Sequence, residues 1–206
     1  MGLTIAPVKS LSEDWQILVE NYITGKRTEF LRHGNSVTVD YVFKTNFPAW
    51  QVGPAIHAIR TNVILGEHDF EVFGIGLQGN INYIPFYKEY NEMPKAVLLL
   101  QFSPGIDLLR FRYTETTFED GIPNGQFKKV DKKWAFNTGL NALLQINLTT
   151  LLSVSPTVGI RYFPNLEWQG ITEVVSDGDF QDEFDRVNWQ QFTYGLRIGI
   201  NLRNRK

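Results

Sequence analysis

Residues 189–203, WQQFTYGLRIGINLR, read as two interleaved sequences. Phe192, Tyr194, Leu196, Ile198, Ile200 and Leu202 alternate with Gln191, Thr193, Gly195, Arg197, Gly199, Asn201 and Arg203. Side chains on a strand alternate sides with period two, so this stretch is a β-strand between two unlike environments. Which side faces the apolar environment decides the fold.

The pattern recurs along the chain. Val154, Pro156, Val158, Ile160, Tyr162, Leu166 and Trp168 stand against Ser155, Thr157, Gly159, Arg161, Asn165 and Glu167. Trp134, Phe136, Leu140, Ala142, Leu144, Ile146 and Leu148 stand against Asn137, Gly139, Asn141, Gln145, Asn147 and Thr149, with only Ala135 and Leu143 breaking the polar side. Phe73 to Tyr83 and Val37 to Phe43 alternate as clearly, Trp50 to Ile64 and Ala96 to Tyr113 less strictly, and Leu3 to Val8 supplies a short opening strand. That makes eight strands. The connections over 9–35, 114–131 and 169–188 are long, whereas 46–49 and 150–153 are tight turns, so long connections gather mostly at one end. Such asymmetry belongs to up-and-down barrels.

Composition narrows the class. The chain has 206 residues with no sharp compositional boundary, and reads as one domain. Hydrophobic residues make up 43% and the net charge is −2, which exclude a disordered chain and give no reason to expect nucleic acid as partner. Without cysteine there is no disulfide, zinc–thiolate site or thiol nucleophile. The longest aliphatic run, Ala96 to Leu100, is too short for a membrane-spanning helix. The opening MGLTIAPVKS lacks a basic start followed by an apolar stretch, so any export signal is expected to have been removed.

Alternation alone fits both a soluble barrel with an apolar core and a membrane barrel with an apolar exterior. The polar face separates them. A face in water is normally rich in Lys and Glu. The polar sides of the last three strands instead carry Asn, Gln, Thr, Ser and Gly with Arg161, Arg197 and Arg203 and no lysine, which suits a crowded lumen. On the apolar side, aromatic residues such as Trp134, Phe136, Tyr162, Phe192 and Tyr194 lie near strand ends, where a membrane interface favours them. The eleven residues from Phe192 to Leu202, at about 3.3 Å each and tilted roughly 45°, give a height of about 25 Å, the apolar band of outer-membrane barrels. The expected fold is all-β, an eight-stranded antiparallel up-and-down transmembrane β-barrel with long extracellular loops.

With Thr193, Gly195, Ile198 and Ile200 in place, the final strand is similar to the insertion signal of small eight-stranded outer-membrane β-barrels of diderm bacteria. The run-on ending NLRNRK looks more like the barrel domains of Bacteroidota than like members that stop on an aromatic residue. The resemblance implies a bacterial outer-membrane location, outer-membrane lipid around the wall, and handling by the barrel assembly machinery.

Several constellations are candidates for chemistry. Asp40, Asp107, Arg161 and Arg197 project to the polar face, and in an eight-stranded lumen just wide enough for side chains they are expected to pair. A structural ion-pair plug is preferred over a proton or ion path. Asp177, Asp179, Asp182, Glu183 and Asp185 crowd SDGDFQDEFD, an oxygen-rich loop without EF-hand spacing, read as solvated with weak metal potential. His33 and His68, with Glu67 and Asp69, sit at the expected rim, where some outer-membrane barrels carry catalytic groups, but no serine elbow or zinc spacing accompanies them. His57 lies on a strand. Ser12 could cap a short helix in which Trp15, Leu18, Val19 and Tyr22 share a face.

The expected function is a non-enzymatic outer-membrane barrel with a filled polar lumen, without a cofactor, whose loops contact a protein or polysaccharide partner. The alternatives are a rim-active lipid-modifying enzyme or hydrolase, and a soluble β-barrel binding an apolar ligand.

Overall fold

In a computed structural model of the protein, residues 1–10, 34–65, 68–87, 94–119, 122–166 and 187–200 are described. The strands are β1 (Gly2–Ser10), β2 (Gly34–Asp40), β3 (Phe43–Lys44), β4 (Trp50–Leu65), β5 (His68–Tyr83), β6 (Ala96–Glu119), β7 (Ile122–Asn147), β8 (Leu152–Leu166) and β9 (Val187–Ile200). β2 and β3 both pair with β4 and are two halves of one strand, so the wall has eight. Every strand is antiparallel to its neighbours, and β1 closes the barrel by pairing with both β2 and β9.

The wall is apolar outside. Leu144, Ile146, Val158, Ile160, Leu196, Ile198 and Ile200 are all exposed, together with Ile5, Val39, Ile56, Leu77, Leu100 and Leu140 around the circumference. Residues of opposite parity are buried within, among them Asp40, His57, Asn80, Ser103, Asp107, Ser155, Arg161, Gln191 and Arg197. A soluble barrel would have these two sets exchanged, and an apolar belt of this extent is stable only against lipid. Aromatic rings border the belt at the end holding the tight turns, where Tyr41, Phe43, Phe47, Trp50 and Phe86 are exposed and the Trp50 and Tyr83 rings lie 4.8 Å apart. Trp134 and Phe136 border it nearer the other end.

Proline lacks an N–H to donate and cannot be hidden at the edge of a closed sheet. The ladders open where the prolines fall. Pro7 lies in a gap between the Ile5–Leu196 and Val8–Thr193 pairs, Pro104 between Gln78–Gly105 and Ile81–Phe102, and Pro156 between Leu143–Thr157 and Ile146–Val154. Pro54 stands opposite the break between β2 and β3, where its carbonyl accepts from Tyr41 N–H at 3.0 Å. Pro85 is in a turn, and Pro164 sits in the register slip between Phe163 and Leu166.

One expected loop is corrected. The 114–131 stretch is a hairpin in which β6 and β7 continue pairing to Glu119–Ile122, with a slip at Thr117/Phe118. Only two residues separate the strands, and Pro123 and Gly125 lie just beyond them, paired with Phe118 and Thr117. The expected turns appear at 45–49 and 148–151, the latter held by Thr149 Oγ1 accepting from Leu151 N–H at 3.1 Å and Leu152 N–H at 2.9 Å. The expected helix beginning at Ser12 and the long connections over 11–33 and 167–186 lie outside the described residues.

Candidate functional site

The lumen holds three polar centres, and two of them are built over a glycine. A strand's inward residue ordinarily blocks the side chains on either side from meeting; a glycine there leaves the gap open. Arg197 on β9 reaches across β1 to Asp40 on β2, its Nη2 donating to Oδ1 at 3.0 Å and to Oδ2 at 2.9 Å. Gly2 of β1 is the open position: a methyl carbon there would overlap both the carboxylate and the guanidinium.

His57 on β4 and Asp107 on β6 are both in register with Gly76 of β5, which lies between them. His57 Nδ1 is 3.3 Å from Asp107 Oδ2 and both side chains are buried, so one proton is shared along this contact. The third centre is Arg161 on β8, in register with Gly139 of β7. Its Nη1 donates to Asn137 Oδ1 at 2.7 Å and its Nη2 to Gln78 Oε1 at 2.7 Å. Gln78 is on β5, three strands around the wall, so this bond crosses the interior.

Amides fill the rest. Asn141 donates to Gln101 at 3.2 Å, Gln101 to Asn82 at 3.0 Å, and Ser103 to Asn80 at 2.9 Å. A pocket of about 40 Å³ lies among them, bordered by Thr38, Asp40, His57, Gln78, Asn141 and Arg161. A polar cavity needs about 10–15 Å³ for each water, so it has room for a few waters and no solute.

Toward the end where β6 and β7 project, the lumen turns apolar. Val8, Ile59, Val72, Leu109, Phe111, Tyr113, Phe163 and Trp189 are buried there, and the Phe163 and Trp189 rings stack with centroids 5.1 Å apart. These residues have the same parity as the polar centres. The lumen is therefore layered, charged and amide-lined lower down and capped by hydrocarbon.

The structure resolves the pairing that sequence left open: Asp40 meets Arg197, and the nearest partner of Asp107 is His57 rather than an arginine. Sequence reading gave His57 no role. Its signal was its parity with Ala55, Ile59 and Thr61 and the glycine at position 76. Thr193 and Gly195 of the proposed insertion signal turn inward, Ile198 and Ile200 outward, on the strand that β1 seals.

Of the rim residues, His33 and Glu67 lie outside the described residues, and Asp69 binds Arg112 at 3.3 Å. His68 opens β5. The acidic set Asp177, Asp179, Asp182, Glu183 and Asp185 also lies outside them, and among the described residues no three His, Asp or Glu side chains gather as a metal site. Among the described residues, Ser36 donates to Ala6 O at 3.2 Å, Ser103 to Asn80 at 2.9 Å and Ser153 to Gly199 O at 3.4 Å, and none of the three bonds His57.

With a closed eight-stranded wall, an apolar exterior and a packed polar lumen, the comparison with solved structures is direct. The fold is that of the small outer-membrane barrels. Neisserial surface protein A matches over 96% of this chain and 94% of its own, with a TM-score of 0.50 and 11% identity. Ail, the attachment invasion locus protein of Yersinia pestis, solved with the heparin analogue sucrose octasulfate, matches over 97% and 94%, with a TM-score of 0.46 and 11% identity. At such identity the likeness concerns fold alone. No family model and no curated protein sequence matches the chain.

Proposed function

We propose that this chain is a non-enzymatic barrel of a bacterial outer membrane, inserted by the barrel assembly machinery, with a lumen plugged for stability rather than opened for transport. Its role is that of an anchor presenting the β6–β7 hairpin and neighbouring connections to a protein or polysaccharide partner outside. The observation that carries this reading is the Arg161–Gln78 hydrogen bond at 2.7 Å, which ties opposite walls together across the interior. Unpaired charge is too costly to leave in such a space, and here Asp40 and Arg197 hold one another, Arg161 holds two amides and Asp107 lies against the His57 imidazole.

The test has two parts. Folded protein in phosphatidylcholine vesicles should migrate differently on a detergent gel before and after boiling, as closed membrane barrels do. Planar-bilayer recordings should then show no steady conductance, and large steady currents would overturn the plugged lumen.

A further inference from the structure

On the outer wall, the change from apolar to charged occurs within one step of the ladder. Ala58, Ile75, Leu108 and Trp134 stand side by side on β4 to β7. The next outward row is Arg60, Phe73, Arg110 and Lys132. Arg60 is neutralised by Glu71 at 2.7 Å, and Arg112, one row further on, binds Glu71 at 3.1 Å and Asp69 at 3.3 Å. Arg110 and Lys132 face each other directly and make no ion pair among the described residues. Lys128, two rows beyond Lys132 and opposite Thr114, is a further exposed cation on the same face.

Like charges directly opposite on adjacent strands destabilise a sheet. These two stand immediately above Leu108 and the exposed rings of Trp134 and Phe136. The arrangement suits an amphipathic ligand with a doubly charged anionic head at the cation pair and hydrocarbon against the rings. We infer that Arg110 and Lys132 bind the phosphate of a phosphomonoester-bearing lipid in the outward leaflet, whose chain runs down over Trp134 and Phe136. The inference rests on the membrane reading above, which sets the wall below this row in lipid and the hairpin outside.

The experiment uses the full-length barrel folded in zwitterionic micelles and follows its thermal unfolding by the heat-shifted gel band, while phosphatidic acid, phosphatidylcholine or inorganic phosphate is added. Phosphatidic acid should raise the midpoint at concentrations where the other two do not. Arg110→Ser with Lys132→Ser should weaken that response about 25-fold, each basic residue near a charged lipid surface contributing about fivefold. Lys44→Ser, at the opposite end of the wall, should leave it unchanged. An equal response in the double variant overturns the inference, as does inorganic phosphate matching phosphatidic acid, which would mean a simple anion site. A chain giving no heat-shifted band in phosphatidylcholine vesicles before any addition defeats the membrane reading and the inference with it, so the two failures are distinguishable.

Discussion

Below the row joining Ala58, Ile75, Leu108 and Trp134, the wall presents Ile56, Leu77, Leu140 and Ile198 outward and Gln78, Asn80, Arg161 and Arg197 inward. Above it the assignment reverses: Arg60, Arg110, Arg112 and Lys132 point out, whereas Ile59, Val72, Leu109, Phe111 and Tyr113 are buried. The same strands and the same parity serve both sections. What changes is the solvent outside, lipid for the first and water for the second, and each face takes the chemistry its surroundings stabilise. One barrel is thus an inside-out protein at one end and an ordinary one, with a hydrocarbon core, at the other.

The comparison predicts unequal responses to substitution in the two interiors. In the lower one, Arg197→Ala strands the buried Asp40 carboxylate, and breaking such a pair from one side costs about 3–5 kcal/mol. Arg197→Ala combined with Asp40→Ala should recover much of the loss, because no lone charge remains. Urea unfolding in lipid vesicles measures both, and a double variant no better than the single would show that the pair's charges are not coupled. In the upper interior, Trp189→Ala removes a fully buried ring stacked on Phe163 and should cost about 3–5 kcal/mol through cavity formation. There a polar replacement such as Trp189→Gln should be no better than alanine; improvement by glutamine would mean that the upper lumen is wet and would erase the contrast.

The exteriors can be compared on a single strand. Ile198 and Gln190 both face outward on β9, one amid Leu196 and Ile200 and the other at the polar end of the strand past Phe192 and Tyr194. Ile198→Arg should lower stability by about 2–4 kcal/mol, as arginine does on the lipid face near the mid-plane. Gln190→Arg stays in water and should remain within about 0.5 kcal/mol of the parent. Similar values for both would place the membrane boundary elsewhere on the wall.

This reversal also explains how much was legible in the sequence. Strands such as β9 from Phe192 to Ile200 run within the belt, and their strict alternation revealed strand, spacing and outward face together. The 96–147 hairpin crosses the boundary, so the apolar set passes from Leu100 and Phe102 on one face to Leu109, Phe111 and Tyr113 on the other. To a reader following one face, that exchange looks like the end of a strand. The strand nonetheless reads to Tyr113, and the 114–131 stretch, with its charges and its Gly121, Pro123 and Gly125, reads as a loop. β4 suffered likewise, with Ile56 and Ala58 giving way to Arg60 outward while His57 and Ile59 shared the inner face, and His57 was left without a role. Charged residues in the lumen were legible from parity, but their partners depended on register and on which neighbouring strand carried the opposing glycine.

The smallest expected effect lies on the boundary itself. Glu71 accepts from Arg60 Nε at 2.7 Å and holds Arg112 at 3.1 Å, with the Arg60 side chain 62% exposed. Exposed ion pairs contribute about 0–1 kcal/mol, because solvent screens them and ordering the side chains costs entropy. Glu71→Gln should therefore change the unfolding midpoint little, and less at high salt, where screening already weakens the pairs. Its effect on lipid response should be larger than its effect on stability. Removing the carboxylate frees Arg60 and leaves Arg112 held by Asp69 alone, beside Arg110 and Lys132, and phosphatidic acid should then stabilise the variant at lower concentrations than the parent. Had Glu71 instead been a structural clasp for β4, β5 and β6, the variant would unfold earlier in phosphatidylcholine and gain nothing from the phosphomonoester, and the midpoints in the two lipids separate these roles.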